Sequence, residues 1–169
     1  MNATARRVLT LALVAYGAYD LSHPGQGSLI DGVDLAIHET GHLVFAPFGE
    51  FIAFAGGTIM QLLFPLIFAG YFWRRDDRHS ASVALWWVAQ NCGNVATYVA
   101  DARAQELPLV GGGEHDWFYL LSATGHLNSD LGIARFVRLV GWSLLLGAAV
   151  MGMLTADRSE SPGPVVEGG

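Results

Sequence analysis

Residues 51–73 form a run of twenty-three residues without a formal charge, which restricts the possible folds of this chain more than any other feature. At about 1.5 Å per residue, a helix of that length spans roughly 34 Å, enough to cross roughly 30 Å of bilayer hydrocarbon. Residues 74–78, all of them charged, follow at once and are typical of the end of a membrane helix. The run therefore predicts a transmembrane helix.

Three more stretches, at residues 8–21, 80–100 and 139–155, are apolar enough to predict membrane helices. Hydrophobic residues make up 52% of the chain and charged residues 14%, with a mean hydropathy of +0.37, which is too apolar for an ordinary small soluble domain. We predict an all-α fold, a polytopic membrane bundle of about four to five hydrophobic helices. Residues 1–156 would form one domain, followed by a disordered polar tail at 157–169.

The arginines indicate how these helices are oriented. If Arg6, Arg7 and the cluster at 74–78 share the cytoplasmic side, an even number of crossings separates them. Two crossings are accounted for by the first apolar stretch and the 51–73 run. We predict that the first stretch is a retained anchor rather than a cleaved signal peptide. Arg135 and Arg138 fit this scheme poorly, so an arrangement with a fifth crossing stays open. We expect an integral protein of a bacterial cytoplasmic membrane.

Charge and cysteine content exclude several classes of partner and site. All nine positive charges are arginine, and fifteen acidic residues give a net charge of −6, so no basic stripe is present to follow a phosphate backbone. The absence of a basic stripe argues against nucleic acid as a partner. The apolar composition makes membrane lipid the expected partner. The single cysteine, Cys92, cannot form an internal disulfide or a cysteine-rich zinc cluster, and we predict that it is a packed small residue.

The sequence His38-Glu39-Thr40-Gly41-His42 lies in a shorter apolar segment. On a helix, residues four apart share a face, so His38 and His42 can present nitrogens to one metal ion. Glu39 projects beside that point, where it could hold a metal-bound water as general base without being a ligand. The segment therefore predicts a metal site.

This motif helix is predicted to begin at Asp31, as its N-cap, and to end near residue 46, because Pro47 and Gly49 follow. It is too short to cross a bilayer, so we expect a partial or re-entrant element. Asp34 lies one turn before His38, where it either accepts a hydrogen bond from the second ring nitrogen of that histidine or is a solvated acid.

A catalytic zinc site normally has a third protein ligand and keeps a fourth position open. The candidates, in order of preference, are His115, Asp116, Asp101 and His126. A glycine-rich loop precedes His115 and Asp116 and could let the pair fold back onto the motif helix. The alternative is an ordinary loop pair in which Asp116 caps the next helix.

A polar face in the third apolar stretch adds a possible binding surface. Asn94, Tyr98 and Asp101 recur at helical spacing and therefore lie on one side of a helix. They either hydrogen-bond other helices or line a substrate groove beside the metal. The amides of Asn91, Asn94 and Gln61 could then bind an extended substrate backbone.

The motif His38-Glu39-x-x-His42 on an apolar helix, followed by further membrane helices and a later Asp-containing element, resembles the site-2-protease class of membrane-embedded zinc metallopeptidases. The resemblance is firm on the motif helix and loose over residues 30–120. It implies that His38 and His42 bind Zn²⁺ and that Glu39 activates water. In that family the third ligand is an aspartate that follows Asn-x-x-Pro and precedes glycine, whereas Asp116 precedes Trp117, so the third ligand stays open. The chain also resembles small bacterial membrane proteins that carry His-Asp-Trp after a Leu-Pro-Leu loop.

These observations predict a zinc-dependent metallopeptidase that hydrolyses peptide bonds of a peptide or transmembrane protein substrate at or within the bilayer. Glu39 would activate a zinc-bound water as general base. The alternative is a non-catalytic membrane protein in which the same ligands form a structural or sensing metal site. A closed shell of four protein ligands favours that alternative, and an open position favours the peptidase.

Overall fold

The fold is described from a computed structural model covering residues 1–109 and 113–157. Over these residues the chain is all-helical, with six α-helices and no β-strand, as the sequence predicts. The helices are α1 (Ala3–Ser22), α2 (Asp31–Phe45), α3 (Glu50–Arg74), α4 (Arg78–Ala100), α5 (Asp116–Ala123) and α6 (Asp130–Thr155). The predicted polar tail lies, apart from residue 157, outside the described residues.

The four long helices α1, α3, α4 and α6 form a bundle, and side-chain pairs give their directions. Thr10 contacts His79 near the start of α4 and Leu21 packs on Gly93 further along it, so α1 and α4 run parallel. Thr10 also packs on Gly152 near the end of α6, so α6 runs antiparallel to both. Helix α3 runs antiparallel to α4, to which a tight turn connects it.

The arginines that flank the first two apolar stretches lie at one end of this bundle. His79 contacts the backbone carbonyl of Arg6, and Arg7 forms an ion pair with Asp157 just beyond α6. Arg78 begins α4 at the same end. We call this the arginine end; α2 and α5 lie toward the other end.

Helix α4 is the centre of the packing. Two clusters of buried apolar side chains surround it, one shared with α1 and α6 and the other with α5 and α6. They are Leu21, Trp86, Ala89, Leu145 and Ala148 in the first, and Val95, Val99, Ala102, Leu121 and Ala134 in the second. Cys92 is buried among them with a free thiol, which confirms its prediction as a packed small residue.

Two helical segments are long and apolar enough to cross a membrane, Glu50–Arg74 and Leu127–Thr155. Only 28% and 22% of their apolar windows are buried inside the structure, so most of each window is exposed. The predicted spans at residues 8–21 and 80–100 are helical, as α1 and α4, but do not meet the same test. Among the described residues two segments are thus candidate spans, and the expected four to five crossings stay a prediction.

The motif helix has nearly the predicted bounds, but its cap differs. Helix α2 ends at Phe45 and passes through a 3₁₀ turn to Gly49, whose φ of 100° is strained for any residue with a side chain. The residue preceding the helix is Ile30, without a side-chain cap, so Asp31 is not the N-cap. The Asp31 carboxylate instead accepts a hydrogen bond from the Ser28 amide at 2.6 Å.

Helix α2 packs on α3 through two glycines. A Cβ atom on Gly56 would lie 2.7 Å from the carbonyl oxygen of Gly41, and a Cβ on Gly41 would overlap the backbone of Gly56. Only residues without side chains allow the two backbones to come this close. This contact holds the motif helix against α3 and so sets where His38 and His42 point.

Candidate metal centre

Side chains from α2 and α5 meet at one point. His38 Nε2 lies 2.9 Å and His42 Nε2 3.3 Å from the same carboxylate oxygen, Oδ2 of Asp116. The nearest potential ligand atoms of His38, Glu39 and His42 all lie within 4.8 Å of one another, so this group could hold a metal ion. Of the candidate third ligands, the structure brings Asp116 to the two histidines.

The second nitrogen of each ring is bound to a protein oxygen. His42 Nδ1 donates to the Ala53 carbonyl at 2.8 Å, and His38 Nδ1 donates to Oε1 of Gln61 at 3.1 Å. Because each Nδ1 carries a proton, each Nε2 can offer its lone pair to a metal ion. Backbone and amide oxygens of α3 therefore orient both rings so that Nε2 is the atom that a metal ion would bind.

The separations suit a tetrahedral ion. Nitrogen and oxygen ligands at about 2.0–2.1 Å from zinc lie about 3.3 Å from each other. The Asp116 oxygen lies 3.3 Å from His42 Nε2 and 2.9 Å from His38 Nε2, so a small outward shift would admit an ion. Asp116 and both histidines thus have the donor chemistry and spacing that zinc requires.

Two neighbours position Asp116 at the start of α5. His115, rather than Asp116 as predicted, is the N-cap of this helix, and its Nδ1 accepts a hydrogen bond from the Phe118 amide at 3.3 Å. The backbone amide of Asp116 donates to the Tyr98 hydroxyl at 3.2 Å. The first turn of α5 is therefore tied to α4, with the Asp116 carboxylate directed at the histidines.

The other third-ligand candidates lie elsewhere. His115 is fully buried, and because its Nδ1 accepts from the backbone, its Nε2 carries the proton and faces the Asp101 carboxylate 3.3 Å away. Asp101 also accepts hydrogen bonds from the amides of Glu106 and Leu107. His126 is exposed where the turn before α6 begins. The structure brings none of these three to the cluster.

Two predicted roles next to the cluster are wrong. Asp34 neither contacts His38 nor is solvated: it is 1% exposed and accepts hydrogen bonds from Trp87 and Asn91. Asn91 is completely buried in that contact, so its amide cannot bind a substrate. The hydrogen-bond partner of His38 is Gln61, which the sequence predicted only as a possible contact to a substrate backbone.

Electrostatics favour a charged pair at the cluster, with a protonated His42 beside an ionised Asp116. The hydrogen bond that His42 donates to the Asp116 carboxylate raises the pKa of His42 to about 9, against the opposing effect of burial. Burial alone would raise the pKa of Asp116, but hydrogen bonds from His38 and His42 hold it below its usual value. At neutral pH a metal ion would therefore displace a proton from His42, and its affinity falls as the solution is acidified.

A cavity of about 690 Å³ opens beside the cluster. Glu39 is exposed and lines it, together with His38, His42 and Asp116. Further along, its lining includes Gln61, Asn94, Thr97 and Tyr98. Two members of the predicted polar face, Asn94 and Tyr98, thus both hydrogen-bond other helices and line the cavity, whereas Asp101 does not line it. A ligand of peptide size can reach the cluster through this opening.

We expect Gly57→Ala to weaken zinc binding by about 10- to 100-fold, the range found when groups that support a ligand are lost. A Cβ atom on Gly57 would lie 2.5 Å from His38 Nε2, so the ring must move. Competition with a zinc-binding dye measures the affinity. Gly70→Ala on the same helix is the matched control, since a Cβ there meets no described atom within 4 Å. Equal zinc affinity in both variants would contradict this position of His38.

Comparison with known proteins yields no relative. No protein-family model matches the chain, and no curated protein and no solved structure is significantly similar to it.

Proposed function

We propose that this protein is a zinc-dependent metallopeptidase that cleaves peptide bonds at or within a membrane. The observation that carries the proposal is the convergence of His38 Nε2 and His42 Nε2 on the Asp116 carboxylate, at the edge of a cavity that Glu39 also lines. Three protein ligands with an accessible fourth position are typical of catalytic zinc rather than structural zinc.

Each residue of the site has its own role in the proposed reaction. Bound zinc supplies a Lewis acid that polarises a carbonyl and lowers the pKa of water toward about 7. Glu39 takes the proton of the attacking water and passes it to the leaving amine. His38, His42 and Asp116 hold the ion, while Gln61 and the Ala53 carbonyl keep both imidazoles oriented.

We further propose that the protein is integral to a membrane, with α1, α3, α4 and α6 crossing it. Large apolar side chains are exposed along α3 and α6, which lipid would cover. They include Leu63, Leu66, Ile67 and Phe68 on α3, and Leu139, Leu146 and Leu154 on α6. Four crossings leave the flanking arginines of α1 and α3 on one side, as the charge bias of cytoplasmic loops requires. Helices α2 and α5 would be partial elements between the others.

The alternative function, a structural or sensing metal site, has one observation in its favour. A Glu39 carboxylate oxygen lies within 4.8 Å of the ligand nitrogens of both histidines, so Glu39 could become a fourth ligand and close the shell. A closed shell leaves no position for water and excludes hydrolysis. The two functions therefore differ in whether Glu39 contributes to metal affinity.

The proposal is tested by removing and restoring the metal. Protein purified in detergent is expected to contain about one zinc per chain by mass spectrometry and to cleave fluorescein-labelled casein. Dialysis against a chelator should abolish cleavage, and stoichiometric zinc should restore it. Cleavage that persists in metal-free protein would contradict the proposal, and zinc-loaded protein without any cleavage would favour the structural alternative.

A further inference from the structure

The cavity beside the metal centre is lined by several acidic side chains. Its described basic side chains are three histidines, of which His38 and His42 face Asp116. The acidic side chains that line it, apart from Glu39 and Asp116, are Asp20, Asp31 and Glu114. The chain contains no lysine, and no arginine is among the described lining residues. A water-filled cleft with walls of one charge sign attracts ligands of the opposite sign.

Asp20 and Asp31 form the negative end of this cavity, where α1 meets α2. The half-buried Asp20 carboxylate accepts no hydrogen bond from any described side chain, and it lines the same cavity as Asp31. Asp31 accepts from the Ser28 amide and, at 3.5 Å, from the Asn94 amide. Behind them, Asp34 is buried with its Oδ2 unpaired. Partly buried carboxylates without a counter-charge are costly unless a cation is supplied.

The described arginine and histidine side chains nearby do not neutralise these carboxylates. Arg138 donates to the Thr97 hydroxyl at 3.4 Å but does not itself line the cavity, and Arg103 is paired with Asp130 at 2.6 Å. His23 lines the cavity mouth, where its Nδ1 lies 2.8 Å from the Tyr19 carbonyl. The negative end of the cavity therefore remains available to a positive ligand.

We propose that the cavity selects substrates that carry a positive charge, and that Asp20 and Asp31 bind an ammonium group while the scissile bond lies at the metal centre. The ammonium could be a lysine side chain or a free peptide N-terminus, which share the same recognition chemistry. This inference rests on the proposed function, because it takes the cavity as the substrate groove. It adds the chemical class of the substrate, a cationic peptide.

Binding is measured with zinc-loaded Glu39→Gln protein, so that cleavage does not interfere. The probes are short fluorescein-labelled alanine–serine peptides, one series with a single lysine moved along the sequence and one with acetyl-lysine at the same positions. A further pair compares a free with an acetylated N-terminus. We expect the best charged peptide to bind about five- to tenfold more tightly than its neutral counterpart by fluorescence anisotropy, with the preference declining at high salt.

Adding Asp20→Asn to the Glu39→Gln protein should remove most of that preference without weakening the binding of the neutral peptide. Asp76→Asn is the matched control: it makes the same change in an exposed acid at the arginine end, and it should keep the preference. Equal binding of charged and neutral peptides, unchanged binding in the Asp20→Asn protein, or no peptide binding at all would overturn the inference.

The two proposals fail in different ways. If wild-type protein cleaves neutral and charged peptides equally, the peptidase stands and the charge selection fails. If lysine peptides bind through Asp20 but zinc-loaded wild-type protein cleaves nothing, the charge selection stands and the peptidase fails.

Discussion

Replacing Glu39 by glutamine is expected to leave zinc bound and to lower the rate of peptide cleavage by about 10²- to 10⁴-fold, the usual contribution of a general base. Glutamine has nearly the same shape as glutamate but cannot accept the proton of the attacking water. Because Glu39 is exposed at the cavity and a bound ion would have three other protein donors, zinc affinity should change little. Zinc content by mass spectrometry and initial cleavage rates give the two quantities.

Glu106→Gln makes the same chemical change in an exposed side chain that does not line the cavity, and it should cleave at the wild-type rate. If Glu39→Gln protein cleaves as fast as wild type, Glu39 is not the base. If it loses zinc instead, Glu39 is a ligand and the site is the closed one of the structural alternative.

The second large effect is expected at Asp116. Asp116→Ala removes the carboxylate oxygen that both imidazoles approach. We expect zinc affinity to fall by on the order of 10²- to 10³-fold, which corresponds to roughly a quarter of the 10–16 kcal/mol with which four ligands hold a structural zinc ion. When the zinc concentration is limiting, the lower affinity should also abolish peptide cleavage. Affinity is measured by competition with a zinc-binding dye, and circular dichroism verifies that the variant is folded.

Substitutions at the other histidines separate ligand from supporting roles. His115→Asn should keep zinc affinity within about tenfold of wild type, because asparagine is a good N-cap and can still hold the first turn of α5. His126→Ala changes an exposed histidine and should have no effect. If His115→Asn loses zinc while Asp116→Ala keeps it, the third ligand is His115 after all.

The helices were predictable because each depends on residues close together in sequence. The uncharged run at 51–73 became α3, and Pro47 with Gly49 ended the motif helix where expected. Residues four apart on any α-helix share a face, so the pairing of His38 with His42 required no tertiary information. Caps were less predictable, since a single residue shifts the role from Asp31 to Ile30 and from Asp116 to His115.

The sequence by itself determined an all-helical chain and a motif helix with two histidines on one face, because helix periodicity and apolar run length are local properties. Only the tertiary structure decided that Asp116 rather than His115 faces them, since His115 is held as the N-cap of α5 with its Nε2 toward Asp101. It also decided that Gln61 hydrogen-bonds His38 and that Asp34 hydrogen-bonds Trp87 and Asn91. These contacts join α2 to α3 and to α4, and packing between distant segments cannot be read from spacing along one of them.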